Sequence, residues 1–140
     1  MFLLDFRNEQ ARAHCAEAVR RVIEEFGVEY IKNDYNVECG VGTDHDADST
    51  GDGLLEHNRA FLSWYDEIRA KYPHVTFENC ASGGMRMDYA MLADQHIQSL
   101  TDQDRYFITA HIAAAAGTAV LPEQAAIWST PIQSWGLNCA

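Results

Sequence analysis

The stretch VEYIKNDYN, residues 28–36, decides both how this chain folds and where its chemistry lies. It begins as an apolar strand, and the polar residues Lys32, Asp34 and Asn36 then occupy alternate positions. Because successive side chains of a strand point to opposite faces, all three polar groups leave the same face. A face used only for packing would carry aliphatic side chains, since buried polar groups need partners. The pattern therefore predicts a strand that ends in a polar site.

The same order of elements recurs along the chain. We predict strands over Leu3–Phe6, Val28–Tyr35, His74–Asn79, the first half of HIQSLTDQD (residues 96–104) and Gly117–Glu123. We predict helices from a cap at Asn8 to Gly27, from near Asp52 to Tyr72, and over Asp88–Ala93, Arg105–Ala116 and Gln124–Trp128. Alternating strands and helices of this length are typical of a parallel sheet in an α/β fold.

Polar stretches follow the predicted strands, at KNDYN, ENCASGG, SLTDQD and LPEQ. In parallel α/β folds this edge of the sheet binds ligands. A doubly wound sheet and a (β/α)8 TIM barrel both follow the rule, but no GxGxxG opens a helix after a strand here. The missing motif favours barrel-like units over the nucleotide-binding fold.

The composition indicates one folded domain spanning residues 1–140 and excludes several partners. A formal net charge of -11, with no basic patch, argues against nucleic acid. No apolar run is long enough for a signal peptide or a membrane span, so we expect a cytoplasmic protein without a membrane partner. Four separated cysteines without a CxxC pair (Cys15, Cys39, Cys80 and Cys139) are typical of reduced thiols rather than a zinc site.

Two carboxylates, Asp34 and Asp102, end different predicted strands. Such a pair suits a retaining glycosidase, in which one carboxylate attacks the anomeric carbon and the other protonates the leaving oxygen. Spacing alone does not separate this from ordinary acids at strand ends. Lys32 either donates to a sugar hydroxyl or forms an ion pair, and Asn36 either joins the site or bonds its own backbone in a turn.

Three further features have weaker chemical interpretations. Cys80 would need a histidine base that the sequence does not identify, and Gly83-Gly84 is either a close approach to a ligand or a plain turn. The acids of the loop at residues 44–48 begin with EF-hand spacing, but Ser49 and Leu55 replace the glycine and glutamate that a calcium loop requires. Of the tryptophans able to stack on sugars (Trp64, Trp128 and Trp135), the first lies in a helical pattern and is expected to be packed.

Three segments in order make the chain resemble the catalytic barrel of the α-galactosidases of glycoside hydrolase family 36. Lys32, Asp34 and Asn36 match the family's K-W-D-x-N segment, with Asn33 in place of tryptophan. ENCASGGMRMD resembles C-x-[SG]-G-G-x-R-x-D, and the six matching residues are Cys80, Ser82, Gly83, Gly84, Arg86 and Asp88. LTDQD resembles S-D-[DNQ], although it is one residue shorter than usual and Asp104 is a near neighbour of Asp102.

The resemblance implies roles for these residues. Asp34 would be the nucleophile and Asp102 the acid/base in retaining hydrolysis of terminal α-galactosides. Lys32 and Asn36, together with Cys80, Ser82 and Gly83, would bind the galactoside. No cofactor is implied, because carboxylates suffice for this reaction.

A complete (β/α)8 TIM barrel needs about 250 residues, so the resemblance implies a partial (β/α)8 barrel of about five βα units. Such a part-barrel would leave sheet edges and an apolar interior exposed, so we expect a homo-oligomer, with oligomerisation completing the barrel. The alternative is a catalytically silent half-barrel that self-associates.

Overall fold

The computed structural model describes residues 4–36 and 42–128. The chain divides into a helical unit, Met1–Ile31 with Val37–Thr76, and a sheet unit, Lys32–Asn36 with Phe77–Ala140. The helices are α1 (Glu9–Glu24), α2 (Asp52–Lys71), α3 (Tyr89–Asp94) and α4 (Tyr106–Ala115). The strands are β1 (Tyr30–Asp34), β2 (Thr76–Cys80), β3 (Ile97–Ser99) and β4 (Ala125–Ala126).

An aromatic cluster forms the core of the helical unit. Phe6 packs edge-on against Phe61 and Trp64, with ring centroids 5.1 and 5.2 Å apart. Tyr65 contacts both of these α2 rings, and all four side chains are buried. Edge-to-face pairs of this kind add to the stabilisation from buried area. The prediction that Trp64 is packed rather than free to stack on a sugar is therefore confirmed.

The predicted strand Leu3–Phe6 is wrong over Leu4–Phe6, and Leu3 lies outside the described residues. Side chains form hydrogen bonds with the backbone groups that would otherwise pair in a sheet. The Phe6 amide donates to Nδ1 of His57 at 3.1 Å, and Arg12 Nη1 donates to the Phe6 carbonyl. An apolar run whose amide and carbonyl are satisfied in this way has no need of a strand partner.

Helix α1 begins where the sequence predicts, at an Asn8 cap. The Asn8 side-chain oxygen accepts from the amides of Gln10 and Ala11 at 2.8 and 3.3 Å. Asn8→Ala leaves these amides without the cap, so we expect the free energy of unfolding to fall by about 1 kcal/mol in urea titration. Asn8→Asp keeps the acceptor and serves as the control. Equal stability of Asn8→Ala and the parent would contradict the role of the cap.

The sheet unit carries strands in the order β1-β2-β3-β4. Strand β2 pairs with β3 in parallel, with Glu78 opposite Ile97, and β3 pairs in parallel with β4, with Gln98 opposite Ala125. Sheet order that follows chain order is typical of successive βα units of a barrel, whereas a doubly wound sheet reverses its order. The α/β part-barrel is confirmed, with four strands within residues 4–36 and 42–128 rather than about five.

The predicted strand Gly117–Glu123 and helix Gln124–Trp128 are wrong. Two 3-10 turns, Ala116–Thr118 and Pro122–Gln124, precede the two-residue strand β4. Pro122 has no amide hydrogen to give to a sheet and fixes a φ suited to the start of a turn. The Gln124 amide group then donates to the carbonyls of Leu92 and Gln95 at 2.8 and 3.0 Å, which secures this segment beside α3.

Candidate active site

Strand β1 alternates in exposure as its sequence predicts. Tyr30, Lys32 and Asp34 are exposed, whereas Ile31 and Asn33 between them are half-buried. Lys32 and Asp34 therefore leave one face of the strand, and Asn36 follows as an exposed residue just beyond its end. The two charged groups are accessible to solutes at the carboxyl end of β1.

A cavity of about 320 Å³ lies in the sheet unit at this same strand end. Among residues 4–36 and 42–128, those that line it are Lys32, Thr101, Asp102, Gln103, Asp104 and Trp128. The structure thus brings Lys32 and Asp102 to one cavity, while Asp34 is not part of its lining. An ammonium, two carboxylates, an amide, a hydroxyl and an indole ring suit a polyol that has both hydroxyl groups and an apolar face.

Side-chain hydrogen bonds order the loop that carries Asp102. Thr101 Oγ1 accepts from the Gln103 amide at 3.0 Å, and Gln103 Oε1 accepts from the Arg105 amide at 3.1 Å. The hydroxyl of Thr109, a buried residue of α4, donates to the Gln103 carbonyl at 2.9 Å. Bonds of this local kind fix a turn without a helix or strand. The loop therefore presents Asp102 from a defined backbone.

Asn36 makes its contacts far along the chain. Its Oδ1 accepts from the amide of Ser82 at 2.5 Å and from the Ser82 hydroxyl at 3.2 Å. Asn36 therefore has a partner far along the chain, while residues 37–41, to which a local turn bond would run, lie outside the described residues. Ser82 has a φ of 44°, which few residues other than glycine adopt, and Asn36 holds it there. A direct contact of Asn36 with substrate stays a prediction.

Gly83 is a point of close approach between two backbones. It forms a bridge with Thr101 at a φ of 82°. A Cβ at this position would lie 2.4 Å from Thr101 Cα and 2.8 Å from the Asp102 nitrogen. Only glycine allows the CASGG loop to lie directly against the segment that carries Asp102. The plain-turn interpretation of Gly83 is therefore incomplete.

The remaining residues of the CASGGMRMD segment have local structural roles. Cys80 is fully buried, and its carbonyl accepts from the Tyr35 amide at 2.8 Å, so contact of its thiol with a substrate stays a prediction. The Arg86 guanidinium lies 3.8 Å from the centre of the Tyr35 ring. Asp88 caps α3 by accepting from the Met91 amide at 3.0 Å, as the sequence predicts for a helix beginning there.

Two buried residues beneath the cavity were not singled out by the sequence. Glu78 in β2 and Ser99 in β3 have no exposed surface, and the Ser99 hydroxyl donates to Glu78 Oε1. Lys32 Nζ lies 3.6 Å from the same carboxylate oxygen. The available signal was an acid inside an apolar strand, VTFEN, where a charge is costly unless it is paired.

The sequence of this chain matches the model of a known protein family. The model described as Melibiase matches residues 1–127. The chain belongs to the melibiase family. This match confirms the family resemblance to the α-galactosidases of glycoside hydrolase family 36.

Two curated proteins and one solved structure are similar to this chain. An α-galactosidase of Escherichia coli is 37% identical over 75 residues, which are 54% of this chain and 10% of that protein. Mel36A, an α-galactosidase of Lactobacillus acidophilus, is 27% identical over 92 residues, which are 62% of this chain and 12% of that protein. The structure of the GH36 α-galactosidase AgaA of Geobacillus stearothermophilus superposes with a TM-score of 0.79 at 20% identity. The superposition covers 89% of this chain and 18% of AgaA. The matched part of this chain thus spans between a tenth and a fifth of the length of these relatives.

The described residues also bear on metal binding, the acidic loop and the cysteines. Within residues 4–36 and 42–128, no group of three or more His, Cys, Asp or Glu could hold a metal ion. In the acidic loop, Asp44 accepts from the Gly51 amide, and Asp52 accepts from the Asp48 amide. Cys15 and Cys80 are free thiols, while Cys39, Cys139 and Trp135 lie outside the described residues. No helix that the structure describes is long and apolar enough to cross a membrane.

Proposed function

We propose that this chain is the part of a retaining α-galactosidase barrel that carries both catalytic carboxylates. The observation that supports this best is the cavity that Lys32, Asp102 and Trp128 line together. Relatives described as α-galactosidases point to the same substrate class. Two AgaA structures, each with an aspartate replaced by asparagine or alanine, are complexes with raffinose and stachyose. A galactoside is therefore the ligand to test first.

The proposed reaction has two steps at the anomeric carbon. Asp34 attacks this carbon and forms a galactosyl ester while the bond to the leaving oxygen breaks and Asp102 gives that oxygen a proton. Water then gives a proton to Asp102 and attacks the same carbon, which releases Asp34 and galactose. Two inversions give net retention of the α configuration.

The other proposed roles concern binding. The Lys32 ammonium donates to a galactose hydroxyl, and the indole of Trp128 offers an apolar plate beside it. Asn36, Ser82 and Gly83 shape the neighbouring edge of the site through the Asn36 to Ser82 hydrogen bonds. The cytoplasmic location expected from the sequence stays a prediction.

The experiment compares two neighbouring aspartates with an aryl α-galactoside as substrate. Asp102→Asn removes the proposed proton donor, so we expect kcat to fall by about 10²-fold to 10⁴-fold for a poor leaving group. Asp104→Asn is the matched control, because it removes the same charge from the same cavity, and we expect a much smaller effect. Proton NMR of the first product should show α-galactose. Loss of activity in Asp104→Asn alone would transfer the acid/base role to that residue, and an inactive parent chain would contradict the proposed activity.

The second candidate is the silent half-barrel that self-associates, and α4 favours it. The helix YFITAHIAAA carries no Asp, Glu, Lys or Arg, yet Phe107 is half exposed. A helix this apolar is ordinarily covered on all sides. Tyr89 and Leu121 are large exposed side chains of the same unit. An oligomer in light scattering without galactose binding in calorimetry would favour this candidate, and a monomer would contradict it.

A further inference from the structure

Four side chains of the sheet unit form a closed circuit beneath and beside the cavity. Lys32 Nζ lies 3.6 Å from Glu78 Oε1 and 4.6 Å from the centre of the Trp128 ring. Trp128 Nε1 donates to Ser99 Oγ at 3.4 Å, and Ser99 Oγ donates to Glu78 Oε1. Two of the four residues line the cavity, and the other two are fully buried.

Burial makes the Glu78 carboxylate costly. A carboxylate without exposed surface loses its hydration, and an apolar residue of similar size in a sheet is often as stable or more stable. The Ser99 hydroxyl and the Lys32 ammonium, both in the circuit, offset part of that cost. The contacts of Glu78 with Lys32 and Ser99 lead directly to the cavity wall, because Lys32 lines the cavity and Ser99 bonds Trp128, which also lines it.

The circuit also fixes groups that would otherwise move. Lys32 is a long side chain with many rotamers, and a buried anion on one side with an indole ring on the other restricts its ammonium. The Ser99 hydroxyl accepts from the indole and so sets the rotation of the Trp128 ring. A preorganised cation and ring lose less entropy when a sugar binds.

We infer that Glu78 is a positioning residue that holds Lys32 directly, and Trp128 through Ser99, in the orientation needed to bind a galactose ring. This inference rests on the proposed function for the identity of the sugar. The circuit itself involves only residues of this chain. The two parts can therefore be tested separately.

The circuit is tested first without any ligand. In ¹⁵N-labelled protein, the Trp128 indole resonance is assigned by its loss in Trp128→Phe. Ser99→Ala removes the acceptor of that indole, and Glu78→Gln removes the charge while keeping the shape. We expect both variants to shift the Trp128 resonance and to leave that of Trp64 in place. The double variant should not add the two shifts, since both changes break one circuit. Glu29→Gln, which removes an exposed charge in the helical unit, is the matched control.

Galactose titration of the same samples tests the consequence. We expect Glu78→Gln to raise the galactose Kd by about tenfold or more, as for the loss of contacts to a charged group, while Glu29→Gln binds as the parent does. An unshifted Trp128 resonance in both folded variants would overturn the inference, and so would an unchanged Kd in Glu78→Gln. A parent chain that binds no galactose overturns the proposed function instead, and the indole resonances then decide the inference by themselves.

Discussion

Gly83→Ala is expected to lower the free energy of unfolding by about 2–5 kcal/mol, through steric overlap and strained backbone together. The added Cβ would lie 2.4 Å from Thr101 Cα, 2.7 Å from the Thr101 carbonyl carbon and 2.8 Å from the Asp102 nitrogen. All three are backbone atoms, so no side-chain rotation relieves the overlap. The φ of 82° at Gly83 adds strain for any residue with a Cβ. The CASGG loop and the loop carrying Asp102 must therefore separate, which also disturbs the cavity.

Gly117→Ala provides the control for this substitution. A Cβ at Gly117 meets no atom within 4 Å, and the residue lies in the 3-10 turn Ala116–Thr118. The same change there should be neutral, or stabilising by about 0.4–1 kcal/mol, because alanine restricts the unfolded chain. Urea unfolding of both variants compares their stabilities. Galactose titration of both compares their cavities. Similar stabilities for the two variants would mean that the close approach at Gly83 is relieved at little cost.

Elements with long periodic patterns could be predicted from the sequence, and short ones could not. The bounds expected for α2 match those found, because 20 residues repeat an apolar face from its start at Asp52. The apolar run ending at Phe6 reads like a strand, but its amide bonds to His57, a residue 51 positions away. Strand β4 has two residues, too few for any alternation to be recognised. Both errors concern partners that only the fold supplies.

The same distinction applies to the candidate site. Lys32, Asp34 and Asp102 could be proposed from the sequence because all three match a family motif, and because the two aspartates lie at the end of one strand and after another. Glu78 and Ser99 were missed, because their significance lies in a contact between two neighbouring strands under Lys32. The contact between Asn36 and Ser82 was missed for the same reason, since the two residues lie 46 positions apart in the chain. Sequence motifs therefore reveal the residues proposed to contact the substrate more readily than the residues that position them.

Asp34→Asn is expected to reduce hydrolysis of an aryl α-galactoside by at least about 10³-fold, because the loss of a nucleophile removes the covalent route. An amide is too weak a nucleophile to form the galactosyl ester. The substitution should leave folding intact, since the Asp34 side chain is exposed at the end of β1 and exposed substitutions change stability by only about 0.5 kcal/mol. Urea unfolding of the variant distinguishes a loss of catalysis from a loss of stability. Asp66→Asn, at an exposed aspartate of α2, is the matched control for the lost charge.

Azide distinguishes a lost nucleophile from any other cause of inactivity. In Asp34→Gly the anion can occupy the vacated position and attack the anomeric carbon once, while Asp102 still protonates the leaving oxygen. A single displacement inverts the centre, so the α-galactoside should yield β-galactosyl azide and a recovered rate of aglycone release. The Asp102→Asn variant, which keeps its nucleophile, should give no β-galactosyl azide, because any galactosyl ester it forms is opened by azide with a second inversion. A parental rate in Asp34→Asn, or the absence of the β-azide from Asp34→Gly, would remove Asp34 from the nucleophilic role.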